Sequence, residues 1–282
     1  MTTTTLMAPE IVDEITSEQN IAQPSRMAVG KQRTSNGDTS AGKALALLDA
    51  FSGQFTVLGV TALADRVDIP KSTAYRLLNV LIECGYVRRV GDRYCLTEHL
   101  FEVGNQVRSC RPSGIRELAM PYLGDLFAQT HQTVHLAVLS GTDVLYLDKI
   151  SGSDAAWCPT SVGCRRPAYA TALGKALLAF GEPEDLERNL RVPFRRFTPH
   201  TMITATQVQR SVERIRDAGI ATDHEELHRG VNCIAAPILD LRSGRALAAI
   251  SICSASSSAR KRHSLLLLRT ADELSRHRTL AM

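Results

Sequence analysis

The side chains best suited to binding chemistry lie between residues 66 and 93, a segment that contains six basic residues and only three acidic ones. In the helix predicted after Pro70, polar side chains fall on the face opposite an apolar stripe. The guanidinium of Arg76 can read a guanine edge, whereas the hydroxyls of Ser72 and Thr73 suit a phosphate. We therefore predict DNA contacts from this helix and from the basic strands that follow, namely from Lys71, Ser72, Thr73, Tyr75, Arg76, Asn79, Arg88, Arg89 and Arg93.

These side chains need a particular set of elements to position them. Helical spacing of apolar residues predicts a first helix over 42–52, and Thr61 is predicted to cap a second. Pro70 suits the first turn of the third helix, and Gly85 ends it. Two β-prone runs flank Gly91-Asp92, which indicates a hairpin. This order is typical of a winged helix-turn-helix, although the polar face of an ordinary surface helix is the alternative.

The remaining chain predicts a separate α+β domain. A helix is expected over 98–110, a break at 112–114 and another helix over 115–130. A hairpin follows over 134–139 and 144–150, then helices near 171–180 and 206–218. Strands at 231–239 and 246–253 precede a closing helix at 261–276. Helices around mostly antiparallel strands favour an α+β arrangement, an antiparallel sheet flanked by helices.

Composition excludes several classes of protein. The 282 residues carry a net charge of +4, and no apolar run of about 18 residues predicts a membrane span. Seven cysteines lie scattered without a Cys-x-x-Cys pair, so the sequence favours neither a disulfide framework nor a zinc site. We expect a cytoplasmic protein with no cofactor, no metal and no membrane contact. Residues 1–38 are rich in Thr, Ser and Gln, which predicts a disordered arm.

Several motifs in register resemble the isocitrate lyase regulator (IclR) family of bacterial transcription factors. The N-terminal ones are GKALALLD at 42–49, LADR at 63–66, IPKSTAYRLL at 69–78 and GYV at 85–87. The second half adds TVHLAVL at 133–139, ATALGKALLA at 170–179 and GVNCIAAPI at 230–238. The similarity extends over about residues 41–276.

The resemblance implies a DNA-binding domain over 39–97, a linker helix over 98–113 and a GAF-like effector-binding domain over 114–282. It also implies a homodimer or a dimer of dimers that binds pseudo-palindromic double-stranded operator DNA. The effector would be a small organic or aromatic acid. Carried over position by position, the pocket consists of Cys158, Thr171, Ala172, Leu173, Asp223, Val231, Cys233, Ser251 and Cys253.

One strand departs from the family pattern. Relatives usually have Ser-x-Ser-Gly-Pro where this chain has SICSA at 251–255, so Cys253 replaces a hydroxyl donor. This change favours a more apolar or aromatic ligand. Cys233 and Cys253 could equally be ordinary core residues, since free cysteine is among the most buried residue types.

His224-Glu225-Glu226-Leu227-His228 matches the His-Glu-x-x-His signature of zinc hydrolases. That chemistry requires both histidines on one face of a long helix. Here Gly219 and Gly230 leave too short a stretch for such a helix, and the residues at 220–222 predict a strand. We therefore expect a regulator and not an enzyme, acting as a repressor of a catabolic operon. A DNA-binding regulator without a ligand is the nearer alternative, and a zinc hydrolase the remote one.

Overall fold

The computed structural model describes residues 39–51, 57–107, 109, 114–152, 158–255 and 259–277. The predicted disordered arm at 1–38 and part of the predicted linker therefore lie outside the described residues. Within them, no helix combines the length and apolar character needed to cross a membrane.

The N-terminal unit is a winged helix-turn-helix, as the sequence predicts. Its elements are α1 (Ser40–Asp49), β1 (Val57–Gly59), α2 (Val60–Val67), α3 (Lys71–Glu83), β2 (Val87–Val90) and β3 (Arg93–Leu96). The hydroxyl of Thr39 caps α1 by accepting a hydrogen bond from the Gly42 N–H (3.1 Å). The apolar faces of the three helices and the sheet enclose one core, which includes Leu47, Leu63, Leu78 and Tyr94.

The structure of this unit differs from the sequence predictions at three points. Strand β1 was not expected, yet it pairs with β3 and makes a three-stranded sheet in the order β1-β3-β2 among the described residues. Because α2 starts directly after this strand, its N-cap is Gly59 in extended conformation and not Thr61. The expected position of Pro70 differs by one residue, since it is the N-cap of α3 and not part of its first turn.

The helix expected over 98–110 is shorter in the structure. Helix α4 spans His99–Gly104 and ends at Asn105, so the residues after Gly104 form turns up to Val107. Glycine is a poor helix former, and Asn competes for backbone hydrogen bonds, which accounts for the early end.

The C-terminal unit has the α+β architecture that the sequence predicts. Its helices are α5 (Ile115–Thr130), α6 (Ala172–Ala179), α7 (Pro183–Leu190), α8 (Ala205–Ala218) and α9 (Ala259–Ser275). Its strands are β4 (Thr133–Ser140), β5 (Asp143–Ile150), β6 (Arg165–Pro167), β7 (Ala221–His224), β8 (Asn232–Asp240) and β9 (Arg245–Ser254). The described strands form one antiparallel sheet in the order β6-β5-β4-β9-β8-β7.

The two faces of this sheet support two separate cores. Alternate residues such as Ile234, Ile250 and Ile252 pack with α5 and α9. Their neighbours, Cys233, Ala235 and Cys253, point to the opposite face, where they pack with α6 and α8. Because side chains alternate between the two faces of a strand, Cys233 and Cys253 both lie on the α6 face of the sheet. This is the face on which the cavity lies.

Candidate DNA interface and ligand cavity

Helix α3 presents the predicted polar face to solvent. Ala74, Leu77, Leu78 and Leu81 are buried beneath it. Lys71, Ser72, Tyr75, Arg76 and Asn79 are exposed, and Thr73 is half-buried. A helix anchored in this way offers one continuous surface to a DNA groove, which is the docking mode of helix-turn-helix domains.

The wing formed by β2 and β3 adds three exposed arginines, Arg88, Arg89 and Arg93. The Arg89 Nε donates to the Gly91 carbonyl (2.8 Å), so this side chain also supports the turn of the hairpin. Arg66 makes a contact between two helices: its guanidinium donates to the Ala50 carbonyl (2.7 Å) and so joins α2 to the end of α1. Arg66 therefore has a structural role.

A cavity in the C-terminal unit brings together all nine residues that the resemblance assigned to an effector. It lies between the start of α6, strands β5, β8 and β9, and the end of β7 with the turn that follows it, and it has about 370 Å³ of empty space, including open solvent at its mouth. The lining consists of Tyr146, Cys158, Thr160, Thr171, Ala172, Leu173, Asp223, Leu227, His228, Val231, Cys233, Ser251 and Cys253.

The N-terminus of α6 forms one side of the cavity. The Thr171 hydroxyl accepts from the Gly174 N–H (2.9 Å) and donates to the Ala168 carbonyl (3.4 Å). The first N–H groups of a helix have no partner within the helix, and the helix dipole makes this end positive. Ala172 and Leu173 carry such N–H groups at the cavity wall, so this end of α6 suits an anionic oxygen.

A chain of hydrogen bonds forms the opposite side. The His135 Nδ1 lies 3.3 Å from the Ser251 hydroxyl, and its Nε2 lies 2.8 Å from the Thr160 hydroxyl. Thr160 is in turn 3.5 Å from the Cys158 sulfur. The Lys149 ammonium donates to the carbonyls of Cys158 (2.9 Å) and Thr160 (2.8 Å), which holds this segment against the sheet.

Burial favours the neutral form of four titratable groups in or directly behind the wall. Burial, with a smaller contribution from Lys149, lowers the pKa of His135 to about 3. Burial raises the pKa of Tyr146 well above its ordinary value, and it also raises the pKa of the Cys158 thiol. Burial, then Arg166, lowers the pKa of His228. At neutral pH these four groups are therefore uncharged donors and acceptors.

No lysine or arginine occurs among the described residues that line the cavity. An anionic ligand would therefore depend on the backbone N–H groups of α6. Asp223 is the acidic residue of the lining; it is buried, and its Oδ1 accepts from the Glu226 N–H (2.7 Å). Asp223 suits a hydrogen-bond donor on the ligand and disfavours a second anionic group.

The cysteine prediction needs correction. The scattered spacing disfavours disulfides, yet Cys233 and Cys253 form one in the structure. They are direct partners on β8 and β9, with Cα atoms 4.2 Å apart, close to the spacing of a pair that is not hydrogen-bonded. Strand register between distant segments decides this contact, and the spacing of cysteines in the sequence does not reveal it.

The His-Glu-x-x-His stretch does not form a hydrolase helix. His224 ends β7, Glu225 has a left-handed backbone (φ 57°), and a turn continues to Gly230. This confirms the predicted strand and loop. In the part of the chain that the structure describes, no cluster of three or more His, Cys, Asp or Glu side chains could hold a metal ion.

Four residues of the lining were not predicted: Tyr146, Thr160, Leu227 and His228. Tyr146 follows the inward alternation of β5, which is a signal that the sequence offers. Leu227 and His228 belong to the rejected zinc motif, so their place in the wall depends on how the turn after β7 folds. Nothing in the local sequence indicates the position of Thr160.

Comparisons with known proteins agree on one family. The IclR helix-turn-helix domain matches residues 40–91, and the bacterial transcriptional regulator IclR C-terminal domain matches residues 108–276. The regulator XynR of Escherichia coli is 34% identical over 74% of this chain and 83% of its own length. KdgR of Dickeya chrysanthemi is 33% identical over 74% of this chain and 68% of its own. The E. coli repressor IclR is 28% identical over 74% of this chain and 77% of its own length.

Solved structures share the fold. The Thermotoga maritima IclR structure has a TM-score of 0.69 at 30% identity and covers 86% of this chain and 99% of that one. An IclR homolog from Microbacterium hydrocarbonoxydans, in complex with 4-hydroxybenzoate, has a TM-score of 0.76 at 23% identity, covering 84% and 98%. With both domain matches in place, the chain belongs to the IclR family of DNA-binding transcriptional regulators.

Proposed function

We propose that this regulator is a cytoplasmic repressor of a catabolic operon, released from its operator by a small hydroxylated organic acid. It acts as a homodimer or a dimer of dimers, and two α3 helices enter half-sites of a pseudo-palindrome about 34 Å apart. A repressor is favoured because the relatives include the E. coli repressor IclR. The main support for an effector is the cavity, because residues from widely separated segments of the chain line it together.

The cavity chemistry defines the class of ligand. A carboxylate would accept hydrogen bonds from the N–H groups at the start of α6, where Thr171 fixes the backbone. A hydroxyl on the ligand would donate to Asp223. Tyr146, Leu173 and Val231 supply apolar surface for a ring or short chain between these two ends. This pattern fits a compact molecule with one acid and one hydroxyl group.

The Microbacterium protein was crystallised with 4-hydroxybenzoate, a molecule with this arrangement of groups. It therefore serves as the first probe, and benzoate, which lacks the hydroxyl, is its matched control. If Asp223 accepts a hydrogen bond from the ligand, 4-hydroxybenzoate should bind more tightly than benzoate. The Asp223→Asn variant should reduce this preference.

The DNA-binding face is tested by mobility shift on the region upstream of the gene. Arg76→Ala removes an exposed guanidinium from α3, and Arg210→Ala makes the same change on the exposed face of α8. One bidentate base contact contributes about 1–3 kcal/mol, so Arg76→Ala should weaken specific binding by about 5- to 150-fold. Arg210→Ala should bind as the native chain does. Equal binding by both variants would refute the assigned face.

A further inference from the structure

The disulfide between Cys233 and Cys253 lies in the wall of the cavity. Both residues line it, and both are buried on the α6 face of the sheet. Cys253 Sγ is 3.7 Å from the Nδ1 of His135 and 4.0 Å from the Ser251 hydroxyl, so the pair adjoins the hydrogen-bond chain of the opposite side. The bond therefore joins two neighbouring strands at the surface that a ligand would contact.

We propose that Cys233 and Cys253 form a reversible oxidation site whose redox state sets the shape and polarity of this cavity. Disulfides in a reducing compartment are usually transient, catalytic or redox-sensing. This pair closes only the β8–β9 hairpin, a sequence separation of 20 residues, within a sheet already joined by backbone hydrogen bonds. The fold therefore does not depend on the bond for its topology.

The oxidant is a hydroperoxide, and the reductant is a dithiol. One thiolate attacks the peroxide to give a sulfenic acid and an alcohol, or water when the oxidant is hydrogen peroxide. The second thiol displaces water from that sulfur and forms the S–S bond. The two thiols lose two electrons and two protons, and the peroxide gains both. A dithiol reverses the step by exchange and becomes a disulfide itself.

Reduction changes the wall in two ways. Two thiol sulfurs cannot remain at bonding distance, so at least one must turn away, and the cavity that both residues line offers space for it. Reduction also creates two S–H donors, one of them beside His135 Nδ1. Since burial keeps His135 neutral, its Nδ1 can accept from the Cys253 thiol while Nε2 donates to Thr160.

The effect on an effector rests on the proposed function, because it requires that the cavity binds one. Under that condition, oxidised and reduced protein should differ in affinity for the ligand. Coupling between two sites typically changes affinity by about 5- to 150-fold, and the ligand should alter the ease of oxidation by the same factor.

The test uses the full chain after treatment with hydrogen peroxide or with dithiothreitol. Peptide mapping without reductant should find Cys233 linked to Cys253 in the oxidised native chain. The control variant Cys84→Ser, which removes an exposed free cysteine of the DNA-binding domain, should give the same linked peptide. Cys233→Ser should lack the linked peptide. The rate at which N-ethylmaleimide labels Cys158, a free thiol of the same wall, should differ at least threefold between the two states of the native chain.

Calorimetric titration with 4-hydroxybenzoate then compares both states with Cys233→Ser, whose affinity should not respond to peroxide. Failure to form the linked peptide, or linkage that leaves both Cys158 labelling and ligand affinity unchanged, would overturn the proposal. If 4-hydroxybenzoate and related acids bind neither state, the proposed effector is refuted. The linked peptide and the labelling rate still decide the oxidation site in that case.

Discussion

Replacing Lys175 with methionine should leave a buried carboxylate without its cation. Lys175 lies on α6, and its side chain is fully buried at 0% exposure; its Nζ donates to the Glu226 Oε1 at 2.6 Å. Glu226 belongs to the turn after β7, and its carbonyl accepts from the hydroxyls of Thr198 (3.3 Å) and Thr201 (2.6 Å). The ion pair therefore ties the turn that carries Leu227 and His228 to α6, whose N-terminus also lines the cavity.

The size of the effect follows from burial. Removing one partner of a buried ion pair costs about 3–5 kcal/mol, because the remaining charge has lost both water and its counter-ion. For a domain of about 150–250 residues, 1 kcal/mol corresponds to about 2–4 °C in Tm, so Lys175→Met should lower Tm by about 6–20 °C. Replacing both residues, as Lys175→Met with Glu226→Leu, removes both buried charges and should recover most of the loss.

Thermal denaturation followed by circular dichroism measures these changes. The matched control is Glu187→Gln, which breaks an ion pair with Arg191 whose side chains are 66% and 81% exposed. Exposed pairs of this kind contribute at most about 1 kcal/mol. A Lys175→Met variant within about 1 kcal/mol of the native stability, or a double variant less stable than the single one, would show that Glu226 does not depend on Lys175 as its buried counter-ion.

Two further predictions concern the same domain. Gly174→Ala should destabilise it by about 1–3 kcal/mol or more in urea unfolding, because the new Cβ would lie 2.2 Å from the Ala168 carbonyl oxygen; Gly124→Ala, with open space around its Cβ, should not. For His135, only the unfolded chain takes up a proton as pH falls from 6.5 towards 3, so stability should fall by up to about 1.4 kcal/mol per pH unit in that window. His135→Gln should flatten this slope, whereas the exposed control His200→Asn should retain it; equal slopes in all three proteins would contradict the burial of a neutral His135.

Long elements with a clear period could be predicted from the sequence. Helix α5 spans Ile115–Thr130, and the β4–β5 hairpin turns where Gly141 requires a left-handed backbone (φ 67°). The sequence analysis does not predict helix α7, even though Pro183 at its start and acids in its first turn are helix signals, because only Leu186 and Leu190 mark its apolar face. Strand β1 has only three residues, too few to show alternation.

The cavity was predicted in part, for a physical reason. Thr171 and Asp223 lie in motifs that the family resemblance covers, so their positions could be carried over. The disulfide and the place of Thr160 depend instead on which strands pair and in what register. A partner such as Cys253 for Cys233 is fixed by contacts between segments 20 residues apart, and a one-residue slip would turn it to the other face.

The proposed function requires that DNA binding by α3 is coupled to ligand binding in the cavity. The most direct test measures both affinities in both directions: fluorescence anisotropy of upstream DNA with and without saturating 4-hydroxybenzoate, and calorimetry of the ligand with and without DNA. We expect the ligand and the DNA each to weaken the binding of the other by the same factor, about 5- to 150-fold. Ligand binding that leaves DNA affinity unchanged, or no binding by any hydroxylated aromatic or aliphatic acid of similar size, would contradict this coupling.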